Sequence, residues 1–148
     1  MNTRGVDPYG AGLIKDNIYE KAKKRSVRGN IVVVLDLKLD NRGYKLIPSP
    51  SRVVLSQAIH ELISTEEENA KPGEEVNSVG VIGFMEFTNG GVIAAGDRVV
   101  IGEREVGSIA GFDETHAPNH LNIIIKAPRK VSGFDLGVEL EEGVVISR

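Results

Sequence analysis

The second half of the chain consists of short runs rich in Val and Ile that are separated by turns containing glycine. Runs of this length with β-branched side chains, at this regular spacing, are typical of the strands of a small barrel or sandwich. The seventeen glycines fit this interpretation, because tight turns need positive φ angles and strongly curved strands tolerate missing side chains. The sequence therefore predicts five strands here, at residues 79–87, 98–101, 105–112, 121–126 and 144–147.

The first half combines a strand pattern with a helical pattern. Residues 31–39 begin apolar and then alternate between leucine and charged residues, as in a strand that leaves the core at an edge. The turn sequence Asn-Arg-Gly that follows predicts a hairpin with a partner strand at 44–47. Apolar residues at helical spacing after Ser51, a good N-cap residue, predict a helix at 51–66, and an acidic linker follows at 66–77.

Residues 1–30 differ in charge from the rest of the chain. They hold seven Lys and Arg against three Asp and Glu, which leaves eleven basic and eighteen acidic residues elsewhere. Apolar residues at helical spacing predict a short helix that ends near Arg25. The basic residues are not interleaved with aromatic ones, so we do not expect a nucleic-acid site. The expected fold is mainly β with one or two helices: a small β-barrel or sandwich at 31–148, preceded by a basic, helical N-terminal arm.

Composition excludes several classes of function. The chain has no cysteine, which rules out disulfides, thiolate zinc sites, iron–sulfur clusters and a cysteine nucleophile. No apolar run approaches the roughly 20 residues of a membrane helix, and the first residues lack the apolar core of an export signal. The sequence also contains no nucleophile elbow, phosphate loop or dinucleotide fingerprint. We therefore expect a cytoplasmic protein without a membrane partner.

One segment, residues 111–122, concentrates polar side chains directly before an apolar run. It contains two of the three histidines of the chain, two carboxylates and two amides. Loops presented by a rigid sheet commonly carry binding or catalytic groups. The first hypothesis is a binding module for a small polar or anionic ligand, whose candidate ligand-binding residues are Asp113, His116, Asn119, His120 and Asn122.

Two other interpretations of this segment remain open. A loop that gathers His116, His120 and either Asp113 or Glu114 around a divalent metal predicts a metal-dependent hydrolase or isomerase. The metal pair cannot lie on one helical face, because Pro118 interrupts the backbone hydrogen bonds between the two histidines. In a purely structural interpretation, His120 and Asn122 bond to loop backbone, and Asp113 and Asn119 form Asx turns. His60, on the predicted helix, is expected to be structural or exposed.

The second half also resembles a known family. The resemblance rests on three motifs: Gly96-Asp97-Arg98-Val99-Val100, Val106-Gly107, and Asn119-His120-Leu121-Asn122-Ile123-Ile124. Their order is similar to the turn, strand, hairpin and Gly-His step of the glucitol (sorbitol)-specific enzyme IIA of the bacterial sugar phosphotransferase system. The resemblance covers residues 79–148 and implies a small β-barrel.

The resemblance does not carry over the phosphorylated histidine of that family. That histidine lies in the strand before the Gly-Asp turn, where residues 81–86 of this chain contain none. His120 matches only the second, accessory histidine step, and Asn119 stands where the family has glycine. The resemblance implies a relative that kept the barrel and changed its use, with a histidine phosphocarrier acting through His120 or His116 as a further alternative.

A homodimer is the expected assembly. Leu13, Ile14, Ile18 and Ala22 form a narrow apolar stripe, and a single short helix in water is not stable without a surface to pack on. The strand predicted at 31–39 is a candidate edge strand that pairs with its copy across a two-fold axis.

Overall fold

The computed structural model describes residues 5–13 and 23–148. Its main feature is a closed barrel of seven strands, accompanied by two small two-stranded sheets. The strands are β1 Val27–Leu39, β2 Tyr44–Lys45, β3 Ser51–Val54, β4 Ile59–Thr65, β5 Glu75–Val76, β6 Val79–Phe87, β7 Gly91–Ala94, β8 Arg98–Ile101, β9 Arg104–Asp113, β10 Asn122–Lys126 and β11 Gly143–Ser147. One short helix, α1 Gly133–Leu136, occurs in the described part of the chain. The prediction of a mainly β protein is confirmed.

The barrel strands follow the order β1, β11, β8, β9, β10, β4 and β6, and β6 pairs with β1 to close the ring. Neighbouring strands are antiparallel except β10 and β4, which are parallel. Closure gives every strand of the ring a paired neighbour on each side. The parallel pair places Glu61, near the start of β4, beside Asn122, the first residue of β10. His60 and His120 lie close to these two positions in the sequence.

Buried side chains form two clusters, one inside the barrel and one outside it. Inside, Leu62, Phe112 and Ile123 are fully buried and come from three adjacent strands. Burial of side chains of this size contributes about 1.5–3 kcal/mol each. The outer cluster lies under β2 and β5 and consists of Tyr44, Leu46, Ile63, Ala70, Val76, Val79, Ala110 and Ile124. Strands β4 and β10 therefore bury both of their faces.

The helix predicted at 51–66 is wrong, because this segment forms β3 and β4. The two strands are separated by a turn in which Gln57 has a φ of 74°. Strand β4 lies between β6 and β10 and buries both faces, so residues 61–65 are all buried and show no period of two. Pairing with distant strands on both sides outweighs the local helical spacing.

The predicted hairpin between residues 31–39 and 44–47 is also wrong. Strand β2 pairs with β5 instead, within the segment predicted as the acidic linker 66–77. In that segment a carboxylate oxygen of Glu67 accepts the backbone N–H of Asn77 at 2.6 Å. The segment is thus a folded cover of the outer cluster.

At the N-terminus the barrel begins earlier than predicted. Strand β1 starts at Val27, so the predicted arm of residues 1–30 includes barrel residues. Residues 23–26 are not helical, so a helix does not extend to Arg25. The rest of the predicted helix, residues 14–22, lies outside the described residues.

Helix α1 is fixed to β1 through its N-cap. The Ser132 hydroxyl accepts the N–H of Asp135 at 3.1 Å, and the Asp135 carboxylate accepts the N–H of Ser132 at 3.0 Å, which forms a capping box. The same hydroxyl donates to Asp36 of β1 at 3.0 Å. The segment before α1 therefore contacts the part of β1 that was predicted to pair with a second copy. None of the helices in the described residues has the length and apolar character needed to cross a membrane.

A glycine allows β6 to pass close to β1. Gly83 has a φ of 152°, and a Cβ at this position would lie 1.9 Å from the carbonyl oxygen of Val33. The register of β6 shifts near Gly83 against both of its neighbours, β1 and β4. Such irregularities increase local strand curvature. Gly83 therefore contributes to closure of the barrel.

Candidate functional site

Three neighbouring strands carry polar residues side by side. Asn122 of β10 is in register with Asp113 of β9 and with Glu61 of β4. Side chains in register lie on the same face of a sheet, and the next pair, Ile123 and Phe112, belongs to the inner core. Asp113, Asn122 and Glu61, here called the polar row, therefore lie on the outer face of the barrel. The loop of residues 114–121 connects β9 to β10 beside this row.

His120 is held by hydrogen bonds on both ring nitrogens. Its Nε2 lies 3.0 Å from Glu61 Oε1, and its Nδ1 lies 2.9 Å from Asn119 Oδ1. The ring meets Phe84 edge-on at a centroid distance of 5.0 Å and lies 4.9 Å from the ring of His116. The side chains of His120 and Glu61 are only 15% and 11% exposed, so water competes little for this bond. The ring is therefore oriented from both sides.

His60, the second residue of β4, approaches the same loop. Its Nδ1 accepts the backbone N–H of Leu121 at 2.9 Å, and its ring lies 5.7 Å from that of Phe87 in the core. Burial lowers the pKa of His60, and the nearby Arg52 and His120 lower it further. The neutral ring is thus favoured, and because Nδ1 accepts a hydrogen bond, the proton lies on Nε2.

The two histidines border a cleft of about 290 Å³, here called the Arg52 cleft. Its lining consists of Arg52, His60, Glu114, Ala117, Pro118, His120 and Leu121. Arg52, from β3, forms an ion pair with Glu114 in which Nη1 and Oε1 are 2.6 Å apart. A cleft of this size is at the lower end of the range for small-molecule sites. It offers a guanidinium and an imidazole N–H beside apolar surface.

Asp113 and Asn122, which were predicted to bind a ligand, are buried, and the Asp113 carboxylate is already occupied. It accepts the N–H groups of Lys45 at 3.1 Å and Thr115 at 2.9 Å and the side-chain amide of Asn122 at 3.0 Å. Asp113 is 2% exposed and Asn122 is 0% exposed. The bond to Thr115 is the Asx turn of the structural interpretation. Oδ1 of Asn122 is buried and has no hydrogen-bond partner among the described residues.

The structure therefore divides the five predicted ligand residues. His120 lines the Arg52 cleft, while His116 and Asn119 contact His120 and are exposed. Asp113 and Asn122 do not line it. Sequence reasoning missed Arg52, His60 and Glu61 because it placed them on a helix. One signal was available: His60 and Glu61 directly precede the apolar pair Leu62-Ile63, just as the polar segment 111–122 precedes the apolar residues of β10.

The predicted metal ligands do not form a metal site. Across residues 5–13 and 23–148, no three His, Cys, Asp or Glu side chains are placed to hold an ion. Asp113 is occupied by three N–H donors, Glu114 by Arg52, and His120 by Glu61 and Asn119. A metal would have to replace these contacts, which leaves the metal-dependent enzyme without geometric support.

Tyr44 is buried near the polar row. The guanidinium of Arg42 lies 4.2 Å from the centre of its ring. Burial is the main cause that raises the pKa of Tyr44, the carboxylates of Glu61 and Asp113 add to it, and Arg42 opposes it. The phenol is therefore neutral near pH 7 and adds no negative charge beside the two carboxylates.

Residues 21–147 match the model of a protein family described as a family of unknown function (DUF6917). The chain belongs to this family. The matched range includes every strand from β1 to β11, so the barrel and the Arg52 cleft are features of a DUF6917 protein. No curated protein and no solved structure matches the chain significantly. The description of DUF6917 names no activity, and the resemblance to the enzyme IIA family stays a prediction.

Proposed function

We propose that this DUF6917 protein binds a small polar ligand with an acidic group in the Arg52 cleft. The observation that carries the proposal is the convergence of Arg52 and His60 on one cleft whose remaining lining is partly apolar. A few convergent polar groups on a concave, largely apolar surface are typical of small-molecule sites. The proposal keeps the binding module expected from the sequence and moves its centre from Asp113 and Asn122 to Arg52 and His60.

The chemistry of the cleft favours an acidic group on the ligand. The planar guanidinium of Arg52 can donate two parallel hydrogen bonds to a carboxylate or phosphate. Its present partner, Glu114, forms an exposed pair, and such pairs contribute only about 0–1 kcal/mol. His60 supplies a second donor, because its protonated Nε2 has no hydrogen-bond partner among the described residues. Exchange of Glu114 for a ligand therefore costs little.

Catalysis is not part of the proposal, because three ring nitrogens of the two histidines that line the Arg52 cleft are used for positioning. Both nitrogens of His120 and the Nδ1 of His60 are engaged in hydrogen bonds. A phosphocarrier or a general base needs a ring nitrogen that is free to accept a phosphoryl group or a proton. The metal-dependent enzyme and a phosphocarrier acting through His120 therefore have less support than ligand binding, whereas a phosphocarrier acting through the exposed His116 stays a prediction.

Titration followed by backbone amide NMR tests the proposal. The probes are acetate, butyrate, benzoate and inorganic phosphate, with benzamide as a neutral isostere of benzoate. We expect saturable shifts near Arg52, His60 and Leu121 for at least one acid and none for benzamide. Loss of a charged hydrogen-bond donor costs about 1.5–3 kcal/mol, so Arg52→Ala should weaken binding about tenfold or more.

Arg98→Ala is the matched control. Arg98 also pairs with a glutamate, Glu105, at 2.9 Å, but it lies on β8 and does not line the Arg52 cleft. Its loss should leave the affinity unchanged. The proposal fails if no acid gives saturable shifts, or if both arginine variants weaken binding equally.

We also propose a homodimer in the cytoplasm, as predicted from the sequence. The proposal rests on the strand predicted at 31–39 and on the N-terminal apolar stripe, of which residues 14–22 lie outside the described part. Light scattering should compare the full chain with one that begins at Lys23, which retains all of β1. A monomeric full chain, or an equally stable dimer after truncation, would contradict it.

A further inference from the structure

The Arg52 cleft holds an acidic side chain of the protein itself. Glu114 Oε1 lies 2.6 Å from Arg52 Nη1, and their side chains are 43% and 34% exposed. Glu114 also lines a neighbouring cleft of about 300 Å³, on the side of Lys45 and Thr115. The glutamate thus stands between two clefts, with its carboxylate on the guanidinium that a ligand acid would use.

The backbone around Glu114 is anchored on both sides. The Asp113 carboxylate accepts the N–H of Thr115 at 2.9 Å, and the Glu114 carbonyl accepts the N–H of Ala117 at 3.0 Å. Asp113 itself is 2% exposed and bonds to β10 through Asn122. Rotation of the Glu114 side chain therefore suffices to move its carboxylate between the clefts, and the loop backbone keeps its place.

We propose that Glu114 is an internal competitor that a ligand carboxylate displaces from Arg52 towards the Lys45 side. This inference rests on the proposed function of the same cleft and narrows the ligand class. Ala117, Pro118 and Leu121 provide the apolar part of the lining. The ligand is accordingly a small monocarboxylate with an aliphatic or aromatic body, whose acid replaces that of Glu114.

Two variants of Glu114 separate local competition from a general effect of charge. Glu114→Gln removes the charge, whereas Glu114→Asp keeps the charge but shortens the side chain and withdraws the carboxylate from Arg52. If Glu114 competes at Arg52, both variants bind butyrate and benzoate more tightly, by about 1.5- to 5-fold, the range that corresponds to an exposed ion pair. Glu105→Gln, the same change in the remote pair with Arg98, leaves the affinity unchanged.

Amide NMR titrations of the folded full chain measure these affinities. If affinity rises in Glu114→Gln but not in Glu114→Asp, the negative charge of Glu114 acts on the ligand in general, and the proposal of competition at Arg52 is overturned. Wild-type affinity in both variants overturns it as well, while the binding site at Arg52 stands. Absence of saturable binding of butyrate and benzoate in every variant overturns the proposal that Glu114 competes with a monocarboxylate. The proposed function is overturned as well only if acetate and phosphate also fail to bind.

Discussion

Asp97, in the turn between β7 and β8, forms ion pairs with Lys24, which lies before β1, and with Arg148, which follows β11. Its side chain is fully buried, and Oδ2 lies 2.6 Å from Lys24 Nζ and accepts the N–H of Ala94 at 2.9 Å. Its Oδ1 lies 2.9 Å from Arg148 Nη1. We predict that Asp97→Asn, which keeps the shape and removes the charge, destabilises the fold because the Lys24 ammonium, with a side chain only 9% exposed, loses its counter-ion.

The size of the effect follows from the burial of the partners. Removal of one member of a buried ion pair costs about 3–5 kcal/mol. The side chain of Arg148 is 25% exposed and also donates to the carbonyl of Ala95, and Lys24 retains a bond to Val92, so the lower end applies, about 3 kcal/mol. At about 2–4 °C per kcal/mol for a chain of this length, the melting temperature falls by roughly 6–12 °C.

Urea unfolding followed by far-UV circular dichroism measures the change, since the chain has no tryptophan for fluorescence. Glu105→Gln is the control, because it breaks a pair whose side chains are 55% and 58% exposed, and it should leave the unfolding midpoint in place. A wild-type midpoint for Asp97→Asn, or a shift equal to that of the control, would refute the reasoning. Lys24 and Arg148 would then be solvated well enough without Asp97.

Three further predictions concern pH, backbone closure and capping. The pKa of His60 is lowered in the fold, so between the folded value and the unfolded value of about 6.5 the unfolded chain binds more protons, and stability falls as pH falls through this range. The urea midpoint of His60→Gln should therefore fall less than that of the wild type between about pH 8 and pH 5. Equal falls in the two proteins would contradict this role of His60. Gly83→Ala should cost about 3 kcal/mol or more, because its Cβ meets the backbone of β1, whereas Gly143→Ala, with open space around it, should change the midpoint little. Equal midpoints would be inconsistent with a close approach at Gly83. Ser132→Ala removes both the N-cap of α1 and the bond to β1 and should cost about 1–2 kcal/mol by the same assay; a loss within error would mean that the capping box is not needed.

Five of the six strands from residue 79 onward were predictable because their signals are local, whereas the four-residue strand β7 was missed. Val-rich and Ile-rich runs bounded by glycine turns predicted β6, β8, β9, β10 and β11 within one residue at each end. The polar segment 111–122 also marked the right region, since its loop supplies His120 and Glu114 to the Arg52 cleft. Local composition carries this information because turns and alternating strands depend on residues close in sequence.

Strand β4 was not predictable in the same way. Its residues are spaced as in an amphipathic helix, and only the neighbours β6 and β10 show why five of them in succession are buried. The error extended to the site, because His60 and Glu61 belong to this strand. A buried strand between two partners has no characteristic period, so its pattern alone does not distinguish it from a helix.

The sequence by itself determined the fold class, five of the six strands from residue 79 onward and the loop that contributes to the cleft, through β-branched runs and glycine turns. The tertiary structure alone decided which polar groups meet. Glu61 and His120 are 59 positions apart in the sequence, and the pairs Arg52–Glu114 and His60–Leu121 are separated by a similar number of residues. Glu61 and His120 meet because β4 and β10 pair in parallel with one particular register. A shift of one residue in that register would turn Glu61 to the other face, away from His120. Such a register depends on the closure of the whole barrel, which no local stretch of sequence encodes.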